Sequence, residues 1–221
     1  MTIGDKTIDV FGGENAGAPL VVLNTFEREG KTVWNEVKAI CEAPFTLAAI
    51  SNLNWERDMT PWAADSVFKG GAGYAGGADA YLEELASEIY PAVISNLKAA
   101  PNFSALAGYS LGGLFAAYAA FRTEIFSRVA SASGSFWFPG FAEFVATHNL
   151  VAKLDFAYFS LGDKEATVKN PILASVGERT DKIISRFSAL GVTCRFEQNE
   201  GNHFKDAEKR TARAIKAVLK A

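Results

Sequence analysis

Short apolar runs alternate with longer amphipathic stretches along the whole chain. The apolar runs have the length of strands, and continuous ones such as Leu20–Thr25 are typical of parallel strands buried on both faces. The longer stretches repeat their apolar positions with the period of a helix. The predicted strands are Thr7–Phe11, Leu20–Thr25, Phe45–Ser51, Phe103–Tyr109, Arg128–Ser133, Phe156–Leu161 and Val192–Gln198. The predicted helices are Thr32–Cys41, Ala78–Leu97, Leu111–Arg122, Phe141–His148, Pro171–Leu190 and His203–Lys220.

This alternation predicts a single α/β domain over residues 1–221, with a mostly parallel, doubly wound sheet and helices on both of its faces. A chain of 221 residues is long enough to bury a full core in one domain. One segment, Asn52–Gly77, interrupts the alternation. It contains two tryptophans and many glycines and is too long for a simple connection, which indicates a binding loop.

The most informative motif stands between a predicted strand and a predicted helix. Gly108-Tyr109-Ser110-Leu111-Gly112 matches the G-x-S-x-G pattern of a nucleophile elbow, and it lies at the strand-to-helix turn where that pattern belongs. Such a turn lifts the serine hydroxyl clear of the sheet and aims the N-terminus of the following helix at the reacting atoms. The motif therefore predicts a serine hydrolase with Ser110 as its nucleophile.

A serine nucleophile needs a base to take its proton, and only two histidines are present. His203 lies in a loop directly after the last predicted strand, where the α/β-hydrolase order of serine, acid and histidine requires it. His148 comes before the strand that should carry the acid, which is the wrong order. His203 is therefore the expected base.

The acid is expected in the loop after the strand Phe156–Leu161, which reads Gly162-Asp163-Lys164-Glu165. Glu165 is the first choice, because the acid of many hydrolases stands three residues beyond such a glycine. Asp163 remains the alternative, since either carboxylate could turn toward an imidazole.

Two backbone amides should form the oxyanion hole of such a site. One belongs to Leu111, the residue after the nucleophile. The other is expected just beyond the strand Leu20–Thr25, at Phe26, with Thr25 as the neighbouring alternative.

Substrate contacts are expected from side chains near the carboxyl ends of the strands. The first choices are Trp137 and Trp62, with Tyr109 beside the nucleophile. Arg57 has two interpretations: it binds an anionic group of the substrate, or it pairs with a neighbouring carboxylate. Further aromatic candidates are Phe26, Trp55, Phe136 and Phe138.

Composition and charge argue against several classes of partner. The net charge is −3 and no block of like charge forms a tail, so neither nucleic acid nor a membrane is an expected partner. The partner expected of a serine hydrolase is a small-molecule ester. The basic segment Lys205–Lys220 repeats its apolar positions at helical spacing and is predicted to be an amphipathic surface helix. Cys41 and Cys194 are predicted to be buried free thiols. Together with an N-terminus that lacks an apolar leader, they favour a cytoplasmic location.

No cofactor or metal is expected. Two histidines and two widely spaced cysteines cannot build a recognisable metal motif, and a triad performs its chemistry without an organic group. The G-x-G-x-x-G run from Gly71 to Gly76 does not follow a strand, so it is not predicted to bind a dinucleotide.

Three segments besides the elbow resemble those of one family. Arg57-Asp58-Met59-Thr60-Pro61, the helix entry from Gly76 to Pro91, and Ser131–Trp137 are similar to segments of the esterase D and enterochelin-esterase-like branch of the α/β hydrolases. The likeness extends over nearly the whole chain. It implies a carboxylic-ester hydrolase with a Ser-His-acid triad, made by the serine, histidine and glutamate selected above.

The elbow and the resemblance together predict a serine carboxylesterase that hydrolyses a small or medium ester through an acyl-enzyme. Two alternatives remain. One is an acyltransferase of the same fold, in which an alcohol or sugar replaces water, and the other is a non-catalytic binding protein of the same fold. The sequence determines neither the acyl group nor the alcohol group of the ester. It does not determine the oligomeric state either, and a homodimer is the working hypothesis.

Overall fold

Eight strands form one central sheet in the computed structural model, which describes all residues from Met1 to Ala221. Their order is β1-β2-β4-β3-β7-β8-β9-β10, and the two remaining strands, β5 and β6, form a separate antiparallel pair. The strands of the chain are β1 (Thr2–Ile3), β2 (Lys6–Phe11), β3 (Leu20–Asn24), β4 (Thr46–Ser51), β5 (Ala63–Ala64), β6 (Tyr74–Ala75), β7 (Ser104–Tyr109), β8 (Arg128–Ala132), β9 (Phe156–Gly162) and β10 (Thr193–Asn199).

Helices connect the strands and cover both faces of the sheet. None of them is both long and apolar enough to cross a lipid bilayer. The helices are α1 (Gly30–Ile40), α2 (Trp55–Asp58), α3 (Ala78–Glu84), α4 (Tyr90–Ser95), α5 (Leu111–Ala119), α6 (Phe141–Thr147), α7 (Pro171–Ala174), α8 (Val176–Ala189) and α9 (Ala207–Lys220).

The six central strands are parallel, as the alternation of elements predicts, and the antiparallel partners β1 and β2 extend one edge. Successive side chains of a strand point to opposite faces, so β7 sends Leu106 toward one helix layer and Ala105 and Ala107 toward the other. The larger core contains α3, α4, α5, α6 and α8, and the smaller core lies beneath α1 and α9. Both faces are therefore buried, which explains why the central strands read as continuous apolar runs.

The long helix predicted over residues 78–97 is interrupted. A π-helical turn, Leu85–Ile89, joins α3 to α4, and the Tyr90 amide donates to the Leu85 carbonyl instead of the carbonyl four residues back. Pro91 follows directly. Because proline has no N–H and its ring crowds the preceding turn, the helix widens at this point.

Three other predictions differ from the structure. The segment predicted as one helix over residues 171–190 is divided into α7 and α8 at Ser175. The last helix begins at Ala207 instead of His203, because Asp206 takes a left-handed backbone conformation with φ of 55° that a helix cannot continue through. Cys41 is a buried free thiol, whereas Cys194 is free but only partly buried.

Candidate active site

Four neighbouring parallel strands, β7 to β10, deliver the candidate site residues to one edge of the sheet. Register fixes the level at which each loop begins, since Asn199 at the end of β10 pairs with Gly162 at the end of β9. Ligands and active sites of open α/β sheets lie at this carboxyl edge. Ser110 follows β7, Glu165 follows β9 and His203 follows β10.

Ser110 occupies a sharp turn between β7 and α5 and has φ of 57° and ψ of −123°. A non-glycine residue in this region carries strain of about 1–3 kcal/mol, which the packing around it must hold. The turn also forces β7 and α5 together: a Cβ on Gly108 would lie 2.2 Å from backbone atoms of Gly112. Glycine at position 108 is therefore a steric requirement of the elbow.

Ser110, His203 and Glu165 form a continuous hydrogen-bonded chain. Nε2 of His203 lies 2.9 Å from Oγ of Ser110, and Nδ1 of His203 lies 2.7 Å from Oε2 of Glu165. A neutral imidazole that donates its Nδ1–H to the carboxylate leaves Nε2 free to accept the serine proton. The arrangement can therefore pass a proton from the serine to the histidine.

Asp163, the alternative acid, does not contact His203. Its Oδ1 accepts a hydrogen bond from the Gly201 amide at 2.6 Å, and so it ties the turn after β9 to the loop that carries the histidine. The Lys164 amide strengthens the same link by donating to the Gly201 carbonyl. Of the two carboxylates that the sequence offers as the acid, Glu165 is the one that is hydrogen-bonded to the imidazole of His203.

The second oxygen of the Glu165 carboxylate is held by three donors. The Gly162 amide donates to Oε1 at 2.6 Å, the Ser133 hydroxyl at 2.8 Å and the Arg210 guanidinium at 3.1 Å. Burial acts to raise the pKa of Glu165, but the hydrogen bond and charge of His203, with those from Gly162 and Ser133, outweigh it and lower the pKa below its ordinary value. The carboxylate is therefore ionised and fixed in orientation.

Arg210 is buried completely beneath the site, although the sequence pattern placed it on a surface helix. Besides Glu165 and Ser133, its guanidinium donates to the carbonyls of Glu200 and Asn202, each at 2.9 Å. One signal could have revealed it: Ala207, Arg210, Thr211 and Ala214 share the apolar face of α9 at helical spacing. An arginine at a core-facing position needs buried acceptors, because an unpaired buried charge is costly.

Tyr109 reaches the back of the histidine loop. Its hydroxyl donates to the His203 carbonyl at 2.6 Å, and its ring lies 5.4 Å from the imidazole. Ser135, which sequence reasoning also missed, donates its amide to the Ser110 carbonyl and places its hydroxyl 3.2 Å from Oγ of Ser110. These contacts fix the serine and the histidine from separate elements.

The backbone amides expected to form the oxyanion hole differ in whether they already have a hydrogen-bond acceptor. The Leu111 amide is the first of α5 and has no acceptor within the helix. The Thr25 amide is committed to the Ile50 carbonyl in the sheet, which excludes the alternative to Phe26. The Phe26 amide itself donates to a carboxylate oxygen of Glu29 at 3.0 Å, and the other oxygen of that carboxylate accepts from Glu27. No motif in the sequence indicates this internal acceptor.

A cavity of about 1120 Å³ opens above the serine. Tyr109, Trp137 and Arg57 line it, as expected, and so does the glycine run from Gly71 to Gly73. Arg57 also pairs with the buried Asp58 at 2.7 Å, which was one of its two interpretations. The aromatic residues from the sequence that line the cavity are Phe26, Trp55, Tyr109 and Trp137.

Trp62 is not part of this cavity. Its indole donates to the Pro139 carbonyl, and its partly buried ring packs against Phe138 and Phe144 at the edge of the larger core. The expectation that Trp62 contacts substrate is therefore wrong, because its ring packs against other aromatic side chains and does not line the cavity. No group of three or more histidine, cysteine, aspartate or glutamate side chains is arranged to hold a metal ion.

Solved structures share this architecture. Siderophore hydrolase EstA from Aspergillus nidulans is 17% identical, with a TM-score of 0.71 over 98% of this chain and 94% of that one. An IroE-like serine hydrolase from Shewanella oneidensis is 19% identical, with a TM-score of 0.75 over 96% of this chain and 75% of that one. At these identities the likeness establishes the fold, which is that of the α/β hydrolases.

Sequence comparisons give information on the family as well as on the fold. The uncharacterized protein YbbA of Bacillus subtilis (strain 168) is 23% identical over 194 residues, which cover 83% of this chain and 76% of the relative. A family model described as "Putative esterase" matches residues 44–203, a segment that includes Ser110, Glu165 and His203. The chain therefore belongs to this esterase family and is a hydrolase that acts on ester bonds.

Proposed function

We propose that the protein is a serine carboxylesterase in which Ser110 is the nucleophile, His203 the general base and Glu165 the acid. The observation that carries the proposal is the unbroken chain from Oγ of Ser110 through the imidazole to the buried carboxylate, with 2.9 Å and 2.7 Å between the bonded atoms. Its open end faces a cavity large enough for an ester of moderate size.

The reaction has two acyl-transfer steps. His203 takes the hydroxyl proton as Oγ of Ser110 attacks the ester carbonyl, and it returns that proton to the departing alkoxide, so that an alcohol leaves and an acyl-serine remains. Water then attacks the acyl-serine while His203 again accepts a proton. Oγ of Ser110 leaves with that proton, and the carboxylic acid is released.

The amides of Leu111 and Phe26 are assigned the role of donating hydrogen bonds to the oxyanion of each tetrahedral intermediate. Two observations support the second donor: Asn24 pairs with Gly108 at the ends of β3 and β7, and Phe26 and Ser110, which follow these ends, line the same cavity. Since Glu29 accepts from the Phe26 amide before substrate arrives, the ester carbonyl has to displace or share that hydrogen bond. Two amides aimed at a developing negative charge stabilise it by several kcal/mol, typically about 3–4 kcal/mol for each donor lost.

The test is hydrolysis of p-nitrophenyl acetate and butyrate by the wild type and by Ser110→Ala. We expect kcat to fall by about 10⁴-fold or more in the variant. A fluorophosphonate reagent should label the wild type on Ser110, with loss of fluoride, and should leave the variant unlabelled. Ser95→Ala, a change on the exposed end of α4, is the matched control and should retain activity. Equal activity of the wild type and Ser110→Ala would overturn the proposal.

A further inference from the structure

The mouth of the cavity is unusually apolar for a solvent-exposed surface. Phe26, Phe68, Val168 and Phe204 all line it, and they are among the few large hydrophobic side chains that the protein exposes. Phe204 is the most exposed of them at 84%. Contiguous apolar surface around a concave site marks a place where a ligand covers it. The substrate should therefore carry an apolar or aromatic portion that extends from the serine to this rim.

Carboxylates are interspersed with these aromatic side chains. Glu27, Glu56 and Glu208 line the cavity, and none of them forms an ion pair. Glu29 lines it as well and is bonded only to backbone amides. These four carboxylates are separate from Glu165, whose charge is matched by Arg210.

Positive charge in the lining is weaker. The two cationic side chains are Arg57 and Lys164. The guanidinium of Arg57 is neutralised by Asp58, which lies outside the lining with its carboxylate buried. Lys164 is thus the one cation without a partner, and it faces an excess of carboxylates. A site with this excess of negative charge repels anionic esters and attracts cationic ones. The charge affects both the rate of association and the affinity of the bound ester.

We propose, resting on the esterase function above, that the preferred substrates are esters that carry a positive charge, such as an ammonium group, next to an apolar or aromatic portion. Aromatic rings and carboxylates are the two groups that bind an alkylammonium in water, the rings through their negative faces and the carboxylates through charge. The rim supplies the rings and Glu27, Glu56 and Glu208 supply the charge. An anionic ester of the same size meets repulsion from the same residues.

The test compares three p-nitrophenyl esters whose acyl chains have similar size. The cationic ester is the 4-(trimethylammonio)butyrate, its uncharged isostere is the 5,5-dimethylhexanoate, and the anionic ester is the hydrogen adipate. Each kcat/KM is divided by the rate of hydroxide-catalysed hydrolysis of the same ester, because a charged chain changes the intrinsic reactivity. We expect the corrected kcat/KM to be about tenfold higher for the cationic ester than for the anionic one, with the isostere between them.

Ionic strength and charge removal provide the second readout. Raising the salt from about 0.01 M to about 0.3 M should reduce the cationic preference severalfold, since the screening length falls below the width of the cavity. The triple variant Glu27→Gln, Glu56→Gln, Glu208→Gln should reduce it in the same way. The matched control, Glu14→Gln, Glu42→Gln, Glu143→Gln, removes equal charge from exposed positions outside the cavity and should keep the preference.

Two results would overturn the inference, and they differ from each other. Hydrolysis of the uncharged isostere without a cationic preference, or with an equal loss in both triple variants, would leave the esterase in place and reject the substrate class. Failure to hydrolyse any of the three esters, with Ser110 unlabelled by the fluorophosphonate, would reject the esterase and the substrate class together.

Discussion

Replacing Arg210 by methionine tests how much the buried network beneath the triad contributes. The side chain is fully buried and donates five hydrogen bonds, to Glu165, to two hydroxyls and to two carbonyls of the histidine loop. Methionine keeps most of the stem but leaves the carboxylate without its charge partner. Breaking one side of a buried ion pair costs about 3–5 kcal/mol, and we expect a loss of that size in the free energy of unfolding.

The effect on catalysis should be separable from the effect on stability. The guanidinium binds both the Glu165 carboxylate and the loop that carries His203, so its removal lets the two move apart. A displacement of about 1 Å between reacting groups costs about 100-fold in rate. The guanidinium lies 3.1 Å from Glu165, so its loss removes positive charge from beside the triad, and the acid limb of the kcat/KM profile should move to higher pH. A purely structural role for Arg210 would lower the active fraction without moving that limb.

The assays are urea unfolding monitored by tryptophan fluorescence, and the pH dependence of kcat/KM for p-nitrophenyl butyrate, corrected for active sites by fluorophosphonate titration. Arg213→Met is the control. It lies on the same helix and pairs with Glu197, but it is partly exposed and does not contact the triad. We expect it to change stability by less than about 1 kcal/mol. If Arg210→Met unfolds like Arg213→Met and keeps the wild-type pH profile, the network does not position the triad.

The remaining predictions concern carboxylates near the serine. Glu165→Gln should lower kcat for p-nitrophenyl butyrate by about 10³–10⁴-fold, whereas Asp163→Asn, which leaves the imidazole contact intact, should cost less than about tenfold. Glu29→Gln should raise kcat/KM for the same uncharged ester about fivefold, because a neutral acceptor is easier to displace from the Phe26 amide; a decrease would show that Glu29 supports the loop instead. Acid should destabilise the protein through Glu165: its pKa is lowered on folding, so its contribution is present above its ordinary value of 4.5 and disappears as pH falls through the lower folded value. Urea midpoints compared between about pH 6 and pH 3 should therefore fall less in Glu165→Gln than in the wild type.

Much of the site was open to prediction because its signals are local. The elbow needs a glycine at 108 because any side chain there would collide with the backbone of the following helix at 112, and the motif that signals this turn spans only five consecutive residues. The order of serine, acid and histidine along the chain is the one expected of an α/β hydrolase, and the alternation of elements predicts the parallel strands that bring these residues to one edge of the sheet. With only two histidines, chain order alone selects His203.

Other features depended on contacts between distant segments. The sequence left Glu165 and Asp163 open, because two carboxylates in one turn differ only in the direction in which the fold points them. The position of Trp62 in a long loop predicts a contact with substrate, yet the Pro139 carbonyl and two phenylalanines hold its ring against the edge of the core. Helical spacing places Arg210 on the apolar face of α9, but it does not show that five acceptors from four other segments converge on the guanidinium.

The sequence by itself thus determined the fold class and selected the residues proposed as nucleophile and base, because these depend on periodicity, on steric requirements within one turn, and on chain order. The tertiary structure decided which carboxylate meets the imidazole, how a buried arginine secures it, and that Glu29 occupies the amide expected at the oxyanion. It also decided the character of the cavity, in which aromatic side chains and unpaired carboxylates from separate helices and loops are brought together. Each of these is a matter of direction and proximity between residues far apart in the chain, and only folding sets those.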